Sequence, residues 1–276
     1  MPRSASVTEL SYENNERVAI EVEDHVAQVR LVRADKMNAL DPEMFDSIIR
    51  AQLALSKARG IRAVVLSGEG RAFCAGLDLA SMATVGQNDP TPLTERTYGN
   101  ANRFQEVSVG WRKLPMPVVA ALHGVCFGGG MQIASGADIR VAHPATRMAI
   151  MELKWGIIPD MGGFQLWRGT VRDDVLRRLV YTYEEFTGEQ AQDWGLVTEL
   201  ADEPLERATE LARTIVDRNP SAIREAKGLF GTYLDLKPDE ILMEESIRQQ
   251  RLIGTKNQME AVASQMAKRK GAFEDG

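Results

Sequence analysis

Two glycine-rich stretches hold the residue types best suited to chemistry. The first is Ser67-Gly68-Glu69-Gly70-Arg71-Ala72-Phe73-Cys74-Ala75-Gly76-Leu77-Asp78, after the apolar run Ala63-Val64-Val65-Leu66. The second is His123-Gly124-Val125-Cys126-Phe127-Gly128-Gly129-Gly130, after Val118-Val119-Ala120-Ala121-Leu122. Without side chains, backbone N–H groups at a helix start approach a ligand closely, and the helix dipole favours negative charge there. The same glycines would also serve plain close packing or a positive φ. One such turn is weak in isolation. Two of them, each after a short apolar strand, can converge their N–H donors on one developing oxyanion.

Other common chemistries find no support. The chain has neither a G-x-x-x-x-G-K-[ST] loop for nucleoside triphosphates nor a G-x-S-x-G nucleophile elbow. His25, His123 and His143 show no metal-binding spacing, so no metal is expected.

The elements that must position the two turns follow from periodicity. Val18–Val22 and Val26–Val32 alternate with a period near two around Glu23-Asp24-His25, which predicts a hairpin. Asp41-Pro42 reads as a helix start, with Met44, Phe45, Ile48, Ile49 and Leu53 on one face and Gly60 as its stop. A polar, proline-containing stretch over 83–93 predicts a mobile surface loop, and a helix is expected over 94–113, ending ahead of Pro115 and Pro117. A helix near 129–138 and the strand Ile139-Arg140-Val141-Ala142 complete the second unit. Strand, glycine turn, helix and strand recur at both sites, which implies an α/β core. From about 172 the chain reads as mostly helical, with starts at Asn219-Pro220 and at a capping box, Thr255 to Gln258. Its apolar stripes could pack on the same chain or on a neighbouring subunit.

Composition sets outer bounds. The 276 residues carry 33 Lys+Arg against 39 Asp+Glu, a net charge of −6, with 44% hydrophobic residues. Such values suit a globular chain of one or two domains and exclude a disordered or fibrous one. Mild acidity argues against general nucleic-acid binding. Cys74 and Cys126, the two cysteines, cannot form a disulfide framework. No apolar run has the length of a membrane span, and residues 1–10 lack a signal-peptide core. A cytoplasmic protein without membrane or nucleic-acid partners is expected.

With both turns placed, the chain resembles the crotonase (enoyl-CoA hydratase/isomerase) superfamily. Asp35-Lys36-Met37-Asn38-Ala39-Leu40, both glycine turns, Ala137-Asp138-Ile139-Arg140 and Gly156-Ile157-Ile158-Pro159-Asp160-Met161-Gly162-Gly163 match in order. Phe186-Thr187-Gly188, Trp194-Gly195-Leu196-Val197 and the tail Lys268-Arg269-Lys270 to Phe273 extend the match over roughly residues 15–276. The resemblance implies an α/β fold, a crotonase-like spiral of repeated ββα units with a C-terminal helical trimerisation region, and trimers or paired trimers. On this basis 1–15 is a flexible tail, 16–200 the α/β core and 201–276 the helical oligomerisation region. It also implies an acyl-CoA thioester substrate, with coenzyme A part of that substrate and no separate cofactor. The thioester carbonyl would lie between the backbone N–H groups of Leu77 and Gly129. Lys36, Ala75 and Phe273 fall at positions near CoA, the last from a neighbouring subunit, although Lys36 could equally be a solvated surface lysine and the basic tail a solvated helix end.

The acid/base positions depart from the hydratase pattern. Hydratases of the superfamily place one Glu two residues after the glycine triplet and another twenty positions on. Here the first is Gln132 and the second Glu152, with Asp160 eight residues further. A carboxamide can orient water or substrate but does not exchange a proton in this range. Glu152 is therefore the candidate proton shuttle. Asp160 could orient, act as a second base or simply form a turn after proline. Glu152 with Asp160 resembles the dienoyl-CoA isomerases, which also carry an Asp where this chain has Gln132. Double-bond isomerisation is favoured over hydration. Dehalogenation would use Asp160 as nucleophile, but the superfamily's dehalogenases lack the Glu at position 152. A non-catalytic or weakly catalytic acyl-CoA-binding protein is the alternative class.

Overall fold

The computed structural model describes residues 10–82 and 91–275. The chain opens with an antiparallel hairpin, β1 (Val18–Glu23) and β2 (Val26–Leu31). Its two-residue turn puts Asp24 and His25 at φ of 45° and 68°, the left-handed pair that matches strand twist. Helix α1 (Pro42–Lys57) follows, with Asp41 accepting from Met44 N–H as its cap and Pro42 at its first position.

Then come β3 (Ala63–Gly68), the single turn α2 (Leu79–Met82), α3 (Arg103–Lys113), β4 (Val118–Leu122), β5 (Val125–Phe127), α4 (Gly129–Gly136), β6 (Ile139–Ala142) and β7 (Arg147–Ala149). After a short 3₁₀ turn at Glu152–Trp155, the rest is α5 (Gly163–Trp167), α6 (Asp173–Thr182), β8 (Phe186–Thr187), α7 (Gly188–Asp193), β9 (Glu199–Leu200), α8 (Pro204–Val216), α9 (Pro220–Phe230), α10 (Pro238–Leu252) and α11 (Lys256–Met266).

The main sheet has the order β1-β2-β3-β4-β6-β9 and is parallel from β2 onward. Its central strands are apolar on both faces because helices cover both. In β4, Val118, Ala120 and Leu122 join the large core beneath α1 and α3, while Val119 and Ala121 face α8 with Val26, Ala63, Val65 and Val141. That alternation is the period of two, buried on each side. Strands β5, β7 and β8 form a small second sheet. Both glycine turns leave the main sheet at the C-terminal ends of parallel strands, the edge where open α/β sheets bind ligands.

Helix α9 is fixed to this core by one buried lysine. The Lys227 ammonium donates to the carbonyls of Trp111 (3.3 Å) and Met116 (2.7 Å) and pairs with Asp138 at 2.7 Å. Burial pushes the Lys227 pKa down and the Asp138 carboxylate opposes it. Breaking a pair this buried from one side generally costs about 3–5 kcal/mol, because it strands a charge. Farther along, α10 and α11 leave large apolar side chains outside: Leu242 and Met243 are 61% exposed, Met259 63% and Met266 82%.

Three local expectations differ from the structure. The helix expected over 94–113 starts only at Arg103, because Asn102 forms a reciprocal capping box with Gln105 and Tyr98 pairs with Ala101 just before it. Residues 10–15, assigned to a loose tail, are held in place. Tyr12 Oη donates to Val18 O, Asn14 Oδ1 accepts from Ile20 N–H, and Leu10 and Tyr12 pack on the core. At α11, Thr255 caps Gln258 N–H, but the Gln258 side chain accepts from Gly254 N–H, so the box is half formed. Of the loop expected over 83–93, residues 83–90 lie outside the described residues, and 91–93 are exposed.

Candidate active site

The two glycine turns are stitched to each other by the main chain. Phe73 N–H donates to His123 O (3.0 Å), Cys74 N–H to Val125 O (3.1 Å), and Phe127 N–H to Cys74 O (3.0 Å). This places Cys74 opposite Cys126 in a parallel bridge. Contact this close needs glycine. A Cβ on Gly76, whose φ is +87°, would sit 2.7 Å from Phe127 O, and one on Gly130 would sit 2.5 Å from Cys74 O.

On its outer side the first turn is held by the 37–40 segment. Ala75 N–H donates to Met37 O, Leu40 N–H to Gly76 O, and Asp78 N–H to Leu40 O. Since Gly76 O and Asp78 N–H both face Leu40, the peptide alternation turns the Leu77 N–H the opposite way. No described group accepts a hydrogen bond from Leu77 N–H. Across the turn, Gly129 is the first residue of α4, so its N–H is among those a helix leaves without an internal partner. The Cβ position of Gly76 is 3.5 Å from Gly129 N, so the two donors belong to one small region. Leu40 and Met161 cover Gly129, at 2.7 Å and 2.9 Å from where its Cβ would stand.

Strand pairing brings Glu152 to the same place. Phe127 on β5 lies opposite Ala149 on β7, and Gly128 N–H donates to Ala149 O at 2.9 Å. Three residues past Ala149, the Glu152 carboxyl is 7% exposed, with Oε1 near 3.6 Å from the Cβ position of Gly128. Burial raises its pKa above the usual carboxylate range, only partly opposed by main-chain N–H groups of Glu152 and Met151 and by Gln132. Gln132, 1% exposed on α4, donates from Nε2 to Glu152 Oε1 at 2.5 Å. Its Oε1 accepts from Met161 N–H (2.9 Å) and Gly163 N–H (3.0 Å). Glu152 Oε2 is buried and has no partner among the described residues.

The remaining expected residues divide in two. Asp160, next to Met161, accepts from Gln105 Nε2 at 3.1 Å and is half-buried. Lys36 is exposed, and Ala75 is joined to the neighbouring residue Met37. Phe273 is elsewhere. Its carbonyl accepts from Arg62, which also pairs with Asp275 (2.7 Å) at the start of β3. Within one chain Phe273 therefore lies at the opposite end of the sheet from the two turns, because Arg62 anchors the tail there. Among the described residues no cluster of His, Cys, Asp or Glu could hold a metal ion, and no helix is long and apolar enough to cross a membrane.

Two positioning groups escaped the sequence reading. Asn38, fully buried with φ of 55°, donates from Nδ2 to the carbonyls of Glu69, Ala72 and Phe73 and so staples the first turn from inside. Arg33 pairs with Asp78 at 2.6 Å, closing the far end of that turn. Their signal in sequence was only proximity to Lys36. Cys74 is no nucleophile: burial pushes its thiol up to about 12, and Sγ donates to Asn38 O.

The profile of the enoyl-CoA hydratase/isomerase family matches residues 21–276. The chain belongs to that family. Among its relatives, the mouse mitochondrial Delta(3,5)-Delta(2,4)-dienoyl-CoA isomerase is 28% identical over 270 residues, covering 95% of this chain and 83% of the relative. The hydroxycinnamoyl-CoA hydratase-lyase of Pseudomonas fluorescens is 30% identical over 247 residues, covering 86% and 87%. The crystal structure of an enoyl-CoA hydratase from Polaromonas sp. JS666 superposes with a TM-score of 0.84 at 25% identity, covering 94% of this chain and 100% of that one. The family is one of hydratases, isomerases and lyases, and its members' names span all three reactions.

The buried carboxyl has a cost that pH reveals. Because its pKa is raised on folding, the folded chain holds that proton more tightly than the unfolded chain, and stability falls as pH climbs from the ordinary carboxylate range through the raised value. Glu152→Gln removes the dependence. In thermal melts the variant is expected to exceed wild type at pH 8, with the gap closing towards about pH 4. A gap that does not change with pH would contradict the burial argument.

Proposed function

We propose that this family member binds an acyl-CoA thioester and moves a double bond within its acyl chain. The thioester carbonyl sits between the N–H groups of Leu77 and Gly129, Lys36 and Ala75 lie along the CoA arm, and Phe273 reaches the site of a neighbouring copy. Loss of a proton beside the carbonyl leaves negative charge on the carbonyl oxygen, where two fixed donors meet it. One such donor is typically worth about 3–4 kcal/mol in the transition state. Glu152 takes the proton from one carbon and returns it to another, and its raised pKa makes the protonated form easier to reach than for an exposed carboxylate.

The observation that carries this reading is the pairing of one titratable carboxyl with one amide. Hydration by paired carboxylates needs two groups that hold and activate a water. Here the Gln132 amide does not titrate, and its oxygen is taken by Met161 and Gly163 N–H. A single carboxyl suits a single proton moved within the substrate. Asp160 and the mouse dienoyl-CoA isomerase favour a conjugated diene as a second substrate reading.

Assays with 3-enoyl-, 2-enoyl- and 3,5-dienoyl-CoA, with products identified by mass and ultraviolet absorbance, separate these outcomes. Isomerised product of unchanged mass is expected, with Glu152→Gln slower by about 10²–10⁴-fold. Gln132→Glu is expected to raise hydration, seen as a product heavier by one water. Thioester binding with rates equal to those of Glu152→Gln would make the protein a binder instead.

The outward apolar side chains of α10 and α11 support self-association into a trimer or a pair of trimers, which also brings a neighbour's Phe273 to the site. Sedimentation of the full chain at micromolar concentration is expected to give a mass of three or six chains. A single-chain mass would refute this.

A further inference from the structure

The Gln132–Glu152 contact does more than remove one carboxylate, and its consequence rests on the isomerase reading. The Gln132 oxygen receives two main-chain N–H donors, from Met161 and Gly163. Both of its lone pairs are occupied, so the amide nitrogen must be the end that faces Glu152. A donor 2.5 Å from Glu152 Oε1 leaves that oxygen an acceptor whether or not the carboxyl is protonated. A proton on Oε1 would oppose the amide hydrogen. The other oxygen, Oε2, is buried and has no partner among the described residues.

We propose that Gln132 is a positioning residue whose amide reserves Oε1 of Glu152, so that Oε2 alone takes up and returns the proton. In the step, ionised Oε2 accepts the proton from the carbon beside the thioester carbonyl. The electrons of that C–H bond form the dienolate, whose charge rests on the carbonyl oxygen. Oε2–H then donates to the terminal carbon of the dienolate. The carbonyl re-forms, and Oε2 is ionised again. One oxygen, one proton and no exchange of groups on the enzyme suffice. The same amide ties the 161–163 segment, with Met161 over Gly129, to the carboxyl, so shuttle and carbonyl cradle share one anchor.

Among the described residues no charged side chain shifts Glu152; the groups acting on it are Gln132 and main-chain N–H groups. Lys154, on its own short helix, lies over the Trp155 ring at 5.6 Å, and Asp160 is held by Gln105. The acid limb of the rate profile therefore reports Glu152 through Gln132.

The test uses 3-enoyl-CoA deuterated beside the carbonyl and the full-length chain as wild type, Gln132→Met, Gln132→Glu and Glu152→Gln. Wild type is expected to carry a measurable share of the label to the carbon gamma to the thioester carbonyl, the dienolate's far end, in the 2-enoyl product. Gln132→Met is expected to lose label to water and to move the acid limb of kcat/KM up by about one pH unit, since the lost donor had favoured the ionised form. Gln132→Glu keeps acceptors for Met161 and Gly163 N–H, so it decides the matter if the Met variant does not fold. Its added carboxylate is expected to lift the limb further. Wild-type label transfer and an unmoved limb in both Gln132 variants, with Glu152→Gln inactive, would overturn the proposal and leave the isomerase reading standing. Wild-type turnover by Glu152→Gln would overturn that reading itself.

Discussion

The site depends on one constraint: two chain reversals from different strands must run close enough to share main-chain hydrogen bonds. The Cys74–Val125 and Phe127–Cys74 bonds do this, and Gly76 and Gly130 remove the Cβ atoms that would prevent it. The proposed chemistry rests on that approach. It sets the orphan N–H at the start of α4 in the same small region as the Leu77 N–H, which turns away from the 37–40 segment, and these donors are backbone groups held in hydrogen-bonded segments. Their direction is therefore fixed before any ligand arrives, which is what electrostatic stabilisation of a developing charge requires.

The second strand pair supplies the titrating group by the same logic. Because β5 runs beside β7, the chain that leaves Ala149 delivers Glu152 to the mouth of α4, where it is buried rather than solvated. Burial alone would favour the neutral acid. The Gln132 amide offsets part of that and carries no charge of its own, so the Glu152 pKa stays above the usual carboxylate range. The expense falls on stability, as is usual where a site holds a desolvated titratable group.

Much of this was legible from residue order. Both turns, the start of α4 at Gly129, the Asp41-Pro42 helix start and the apolar run of β4 are local signals, and the structure carries them at or within a residue or two of their expected places. What was not legible depends on distance along the chain. Asn38 reads as an ordinary polar residue until the loop 34 positions away folds over it and takes its amide at Ala72. That Gln132 Oε1 would serve Met161 and Gly163 depends on the path of the 156–163 segment, which no periodicity encodes. The start of α3 was misplaced because the polar stretch before it looks as helical as its first turn, and only the Asn102–Gln105 cap breaks the tie. The tail residue Phe273 lies at the far end of its own chain because Arg62 holds it there, a contact across 211 positions.

The claim on which the account turns is that two fixed amide donors grip one thioester oxygen. Vibrational difference spectroscopy reads this directly, with a saturated, unreactive acyl-CoA carrying ¹³C at the thioester carbonyl. The account predicts a carbonyl stretch displaced in the bound state to lower wavenumber than in water, since preorganised donors polarise the bond more than mobile solvent does. A bound stretch at or above its value in water would contradict it.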